Sequence, residues 1–272
     1  MKGEKTVELG SIIGFALGMI FLIVSIILPD FDFSKIIFFL DLPSLMIVVG
    51  GSFASLFIGY SIPKLLISVK AAKNIFKPVK VDSVDAIQKV ISLANLARKE
   101  GILALEDAAS TMEDKFLKKG IALIVDGTDP ELVRNILETE MVYIEGRHKE
   151  VRGFWEYLAL LGPSWGMMGT MVGLIVLLQN LDDPDQIGPS MSIAMITTMY
   201  GSLVANYIGN PIAAKLKAFS NEEMLMKEVL IEGVLSIQAG ENPRIIEEKL
   251  KAFLAPSMRE LASADAKQAG DE

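Results

Sequence analysis

FWEYLALLGPSWGMMGTMVGLIVLLQN, residues 154–180, and the passage that answers it, MSIAMITTMYGSLVANYIGNPIAA, residues 191–214, decide the fold. From Gly166 to Leu178, and again from Met191 to Ala214, there is no Asp, Glu, Lys, Arg or His. About 20 apolar residues cross a hydrocarbon core roughly 30 Å thick as a helix, so each passage reads as a spanning helix. Both also carry what lipid rejects: Pro163, paired glycines, and the hydroxyls of Thr170, Thr197 and Thr198. A polar group turned to lipid without a partner is costly, so these groups should face protein, water or an ion. The pair reads as the lining of a path.

Working outward, Leu9 to Leu28 and Leu42 to Ile62 add two more uncharged runs. The first is longer than the roughly 7–15 apolar residues of a signal peptide and is followed by Pro29-Asp30, not a small-residue cleavage site, so a retained span is expected. The second is closed by Pro63-Lys64. The expected fold is all-α: a polytopic membrane protein with four transmembrane helices and a helical cytoplasmic domain. The 272 residues are 51% hydrophobic with mean hydropathy +0.42, yet 22% charged, which requires an aqueous portion beside the membrane bundle. The expected organisation is helices 1 and 2 in 1–63, a cytoplasmic domain in 64–153, helices 3 and 4 in 154–214, cytoplasmic helices in 215–254 and a disordered tail in 255–272.

Charge sets the orientation, because cytoplasmic flanks of membrane helices hold the Lys and Arg. The turns 29–41 and 181–190 contain one of the 26 basic residues, Lys35, against six aspartates. Residues 64–153 carry 15 basic residues and the tail from Lys215 carries eight. Both termini and the long loop are therefore expected in the cytoplasm. A 90-residue connection should contain elements of its own. Asp82 is placed to cap a helix through Val84, Ile87, Ile91 and Ala94. Asp129-Pro130-Glu131 supplies a cap, a proline at the first helical position and an acid in the first turn, for a helix running on towards the third span. Asn242-Pro243 repeats the signal before Ile246, Leu250, Phe253 and Leu254.

Composition excludes several functions. No cysteine means no disulfide framework or thiolate site, and one histidine leaves no protein-only zinc site. The net charge of −8 argues against nucleic-acid binding. No Walker A or HExxH sequence occurs and no nucleophile and base stand at a recognised spacing, so neither a catalytic centre nor a bound cofactor is expected. The spans lack a central carboxylate, arginine or lysine, the groups that ion pathways ordinarily use. If this chain lines an ion path, the carboxylate comes from another polypeptide. Pro163 removes a backbone hydrogen bond and frees the carbonyl of Ala159, which with Thr170, two turns along, could face that path. Thr197 and Thr198 add hydroxyls, and Pro211 sits near the cytoplasmic end of the fourth span. Small residues recur at every fourth position in all four spans, as close helix approach in lipid requires. Four such ridges exceed the needs of one bundle and point to packing between copies. In ARKEGILALED, 97–107, Arg98, Lys99 and Glu106 form a charged strip around Gly101, a solvated face that could also register a partner.

Over nearly the whole chain these features resemble the flagellar motor stator subunits of the MotA and PomA family. The resemblance rests on ARKEGILALE (97–106), FLKKGIALIVDGTDPELVRNILETE (116–140), LGPSWGMMGTMVGL (161–174) and TTMYGSLVANYIGNP (197–211). It is looser to the three-span ExbB and TolQ proteins, which energise outer-membrane processes. The resemblance implies a homo-oligomer, five copies around two copies of a MotB- or PomB-like single-span partner whose aspartate accepts the translocated H+ or Na+. It implies that Arg98 and Glu106, with Lys99 weaker, engage the rotor's switch-complex protein, and that Pro163 and Pro211 link ion passage to conformational change. Thr170 and Thr198 match positions that carry hydroxyls in sodium-driven members.

Overall fold

A computed structural model of the chain describes residues 9–76 and 83–254. All regular elements among the described residues are helical. Residues 1–8, Asp82 with its expected cap, and the expected tail 255–272 lie outside the described residues. Among the described residues, three helices are long and apolar enough to cross a membrane: Leu9–Ile27, Leu42–Gly59 and Pro130–Gln179. The first is α1. The second is a composite of α2 (Leu42–Leu45), a π-helical segment (Met46–Gly50) and α3 (Gly51–Gly59). It ends sooner than expected, because Tyr60 is extended and Pro63 falls in the first turn of α4 (Ile62–Ala71). There its missing N–H is no loss, so the proline opens a helix instead of closing one.

After α5 (Ser83–Glu100), α6 (Leu105–Ser110) and α7 (Lys115–Val125), the third long helix, α8, runs Pro130–Gln179 as 50 residues without a break. The start signal at 129–131 is used as expected: Asp129 Oδ1 accepts from the Glu131 N–H at 2.9 Å. The passage 191–214 straddles three elements, α9 (Pro184–Leu203), a second π-helical segment (Val204–Gly209) and α10 (Asn210–Gln238). Because α9 opens on the polar run PDQIGPS, its apolar half is completed only by the residues beyond it. The chain closes on α11 (Pro243–Lys251), capped by Asn242.

The chain divides into two compact units. One comprises Met1–Pro78 and His148–Ala218. Its buried cluster includes Leu56, Phe154, Trp155, Leu158 and Ile212. Trp155 is buried, with its indole N–H donating to the Ser68 carbonyl at 3.1 Å. Trp165 occupies a packing seam, lying over Gly51 and donating to Ser55 Oγ at 3.0 Å.

The other unit comprises Val79–Arg147 and Phe219–Glu272. Its core brings Ile87, Val90 and Leu93 of α5 against Ile121 of α7, Val133 and Leu137 of α8, Leu230 and Val234 of α10, and Ile246 and Leu250 of α11. Burial of such aliphatic side chains stabilises a fold by about 1.5–3 kcal/mol each before entropy is subtracted. At its edge the Lys249 ammonium lies 2.6 Å and an Arg134 guanidinium nitrogen 3.2 Å from the Glu232 carboxylate. The hydrogen bond from Lys249, helped by Arg134, holds the Glu232 carboxyl below the ordinary carboxylate range, and Glu232 in turn raises Lys249.

Candidate functional site

The site grows from glycines that let two backbones touch. A Cβ placed on Gly162 would lie 2.7 Å from the Gly201 carbonyl oxygen, and one on Gly201 would lie 2.5 Å from that of Gly162. Gly166 faces the Thr197 carbonyl, Gly169 the Thr197 side chain, and Gly173 the backbone of Ala194 and Ser190. As α8 rises from 162 to 173, its partners on α9 descend from 201 to 190, so the two helices are antiparallel. The expected small-residue ridges of these passages thus meet each other within one chain. On α1, by contrast, a Cβ on Gly10 or Gly14 would meet nothing within 4 Å.

Along this seam Thr170 and Thr198 come together, their hydroxyl oxygens 2.6 Å apart. Thr170 Oγ1 also lies 3.1 Å from the Gly166 carbonyl and 3.0 Å from that of Ala194, and Thr198 Oγ1 lies 3.2 Å from the latter. Each hydroxyl has one proton and two lone pairs, so two protons serve these carbonyls and the mutual contact, leaving lone pairs over. Thr198 is exposed and Thr170 half-buried, so neutral oxygen is presented outward from the seam. Two hydroxyl oxygens hold no net charge and cannot replace an ion's hydration shell alone. They can bond a water or assist a carboxylate brought to them.

The other sequence-predicted residues separate. Pro163 is exposed on α8, two turns before Thr170 and so on the same face. The carbonyl it frees belongs to Ala159, whose backbone is packed against Gly209. Thr197 is fully buried and its hydroxyl donates back to Ile193 and Ala194 of its own helix, at 2.9 and 3.1 Å, apart from the outward pair. Pro211 lies away from the pair, lining a cavity of about 300 Å³ with Gly14, Phe15 and Tyr207. Sequence reasoning missed a clamp at the far end: the Tyr200 hydroxyl donates to the Phe39 carbonyl at 2.6 Å and accepts from the Asp41 N–H at 3.2 Å. Its one available signal was a tyrosine in a largely apolar passage, a signal shared with Tyr207.

In the other unit, Arg98 and Lys99 end α5, Gly101 turns the chain at φ 91°, and Glu106 opens α6. All three charged residues are exposed and none makes a salt bridge among the described residues. The basic pair at a helix C-terminus and the acid at an N-terminus each complement the local helix dipole. Leu103, 74% exposed, stands between them.

Two apolar helices sealed backbone to backbone, offering paired neutral oxygens along the seam, are the arrangement expected of a wall in a membrane protein. Residues 108–229 match the model of the MotA/TolQ/ExbB proton channel family. The chain is 41% identical to the uncharacterized protein YtxD of Bacillus subtilis, over 89% of this chain and 88% of that one. It is 40% identical to Motility protein A of Treponema phagedenis, over 80% and 84%. Its fold is similar to the structure of C. jejuni MotAB, with a TM-score of 0.83 at 28% identity over 92% of this chain and 96% of the other. The chain belongs to the MotA/TolQ/ExbB proton channel family.

Proposed function

We propose that this chain is the ring-forming stator subunit of a bacterial flagellar motor, which with a MotB- or PomB-like single-span partner passes H+ or Na+ down its gradient and turns that flow into torque. Four spans, 9–28, 42–62 and the two within 154–214, hold it in the inner membrane, surrounded by lipid. The loop 64–153, the helices of 215–254 and both termini are cytoplasmic. Five copies surround a partner dimer. The ion is cargo, and no bound cofactor or catalytic residue is required.

The carrying observation is a wall without a charge: Thr170 and Thr198 turned outward from a backbone-packed seam, in stretches, 166–178 and 191–214, free of any carboxylate. The partner's aspartate supplies the missing group. Its protonation or sodium binding changes how the partner helix sits against Pro163, Thr170 and Thr198, and the ring advances. Thr197 and Pro211 act on the same step indirectly, through packing beneath the seam and at the base of the fourth span. A membrane potential supplies about 2.3 kcal/mol per charge per 100 mV, so each ion can bias one small step and torque needs many. Arg98, Lys99 and Glu106 transmit the motion to the rotor's switch-complex protein by electrostatic registration.

The test is Arg98→Glu. Swimming should fall while the partner still co-purifies, and a reversed charge on the rotor should restore it; normal swimming of the variant in every background defeats the contact role. Swimming speed against external sodium at fixed pH, repeated in Thr170→Ala, identifies the ion. The family model also embraces TolQ and ExbB. A deletion that spares swimming and abolishes outer-membrane nutrient uptake would move the chain to that branch.

A further inference from the structure

Four polar side chains of the fourth span stand in one row. Thr198, Ser202, Asn206 and Asn210 recur at every fourth position and all four are exposed, whereas Gly201, Ala205 and Gly209, each one residue before a member of the row, are buried. Gly201 and Gly209 are pressed against α8, so the row runs beside the seam and turns outward from it. Positions four apart advance about 40° on an α-helix, so four of them would fan across about 120°. The π-helical segment Val204–Gly209 winds less per residue and takes that drift back within the row. The Asn210 amide nitrogen accordingly lies 3.4 Å from the Asn206 amide oxygen.

The row keeps unused hydrogen-bonding groups. Ser25, Ser55 and Ser164 donate back to a carbonyl three or four residues earlier, but the Ser202 hydroxyl makes no hydrogen bond with any described residue. The Asn206 amide nitrogen and the Asn210 amide oxygen are also unused among the described residues. Lipid offers these groups no partner, and polar side chains at membrane depth turn to protein or to a water-filled path. At one end the row joins the hydroxyl pair, through Thr198 Oγ1 at 2.6 Å from Thr170 Oγ1. At the other end Gly209 packs on Ala159, about one turn from Glu156. Glu156 precedes Pro163 by seven residues, as Pro163 precedes Thr170, so the three share one face of α8. It is exposed, its Oε1 lies 3.0 Å from Arg152 Nε, and no other acid stands between it and Thr170.

We propose that Ser202, Asn206 and Asn210 are the outlet leg of the ion path, a rail of neutral hydroxyl and amide groups that carries a hydrated cation from the Thr170–Thr198 pair to a mouth at Glu156. The proposal rests on the ion-conducting reading above. The rail spans about 18 Å from Thr198 to Asn210, in steps of about 6 Å, the length of two hydrogen bonds through one water. Neutral oxygens hold a passing cation weakly enough to release it, which conduction requires.

The chain has no cysteine, so a single introduced thiol reports its own surroundings. Ser202→Cys, Asn206→Cys and Asn210→Cys are each placed in the full chain with its partner, in vesicles, and treated from the cytoplasmic side with a charged, water-soluble methanethiosulfonate. Phe21→Cys, on the exposed apolar surface of α1, is the lipid control. The three row thiols should react, and proton or sodium flux should stop as they do, while Phe21→Cys stays unmodified. Asn206→Leu should lower flux at least about tenfold, as the loss of one hydrogen bond to a charged species does, with the partner still co-purifying and Asn206→Gln restoring most of the flux. Row thiols as unreactive as Phe21→Cys, or flux unchanged in Asn206→Leu, overturn the outlet while wild-type flux leaves the motor reading standing. Unreactive thiols with loss of the oligomer in Asn206→Leu make the row a seam between copies and overturn it equally. A wild-type complex that passes neither ion defeats the motor reading itself, and the outlet with it.

Discussion

The closest glycine pair of the α8–α9 seam and the packed glycines of the other unit do different work. On the α8–α9 seam, Gly162 and Gly201 bring carbonyl against backbone, with no room for a methyl. In the aqueous unit, Gly233 and Gly120 are also tightly packed, but what fills the space is side chain: the methyls of Val90 and of Val234. In lipid the surroundings are as apolar as leucine, so helices gain little by burying side chains and associate through close backbone contact. In water the gain comes from removing aliphatic surface, and a glycine is a hole into which a knob fits. One chain therefore uses glycine in two ways, as backbone contact between Gly162 and Gly201 and as a socket for a side chain elsewhere, Gly51 under Trp165 included.

Substitutions can break that contrast. The largest effect is expected from Leu137→Ala in the aqueous core, where the leucine is fully buried: a loss of about 2–5 kcal/mol, read by chemical unfolding of the purified complex. Next is Gly201→Ala, about 1–3 kcal/mol destabilising because its Cβ meets the Gly162 carbonyl oxygen at 2.5 Å. It should lower the melting temperature and abolish motility, and an unchanged melting temperature would sink the backbone-contact reading. Gly146→Ala sharpens the comparison with the opposite sign. Gly146 is exposed within α8 and its Cβ would meet nothing within 4 Å, so alanine should stabilise by roughly 0.5–1 kcal/mol.

The smallest effect concerns pH in the aqueous unit alone. Glu232 has a depressed carboxyl pKa in the folded state, so its contribution is fully present above the ordinary carboxylate range. That contribution is lost as pH falls through the lowered value. Lys249 works in reverse: its contribution holds below the ordinary lysine range and is lost as pH rises through its raised value. Glu232→Gln should flatten the acid limb of the aqueous unit's stability curve without altering that of the α8–α9 seam; an identical acid limb in wild type and variant would remove Glu232 from the account.

Much of this was legible because it is local. Absence of charge over 166–178 and 191–214, the Asp-Pro-Glu start of α8 and the Asn-Pro start of α11 each act within a turn or two of chain. The loop carrying Arg98, Lys99 and Glu106 was readable for the same reason. The three threonines were readable as hydroxyls but not as a geometry. Thr197 and Thr198 are adjacent, so a helical rotation of about 100° separates a buried packing residue from an outward one, and composition does not set the phase. The partner of Trp155 was not legible, because an indole suits a membrane interface or a core equally well. Its N–H found the Ser68 carbonyl, 87 residues away in sequence.

Sequence by itself determined that this is a helical membrane protein with an aqueous portion, and that any ion path through it lacks its own charge. These follow from hydropathy and from which residues are absent, properties that hold whatever the chain packs against. Tertiary structure alone decided that the glycine ridges of α8 and α9 face each other, that Thr170 pairs with Thr198, and that Ser202, Asn206 and Asn210 turn outward from the seam. Those depend on the antiparallel register of two helices and on the π-helical segments that shift it, and register is set by long-range contact between surfaces.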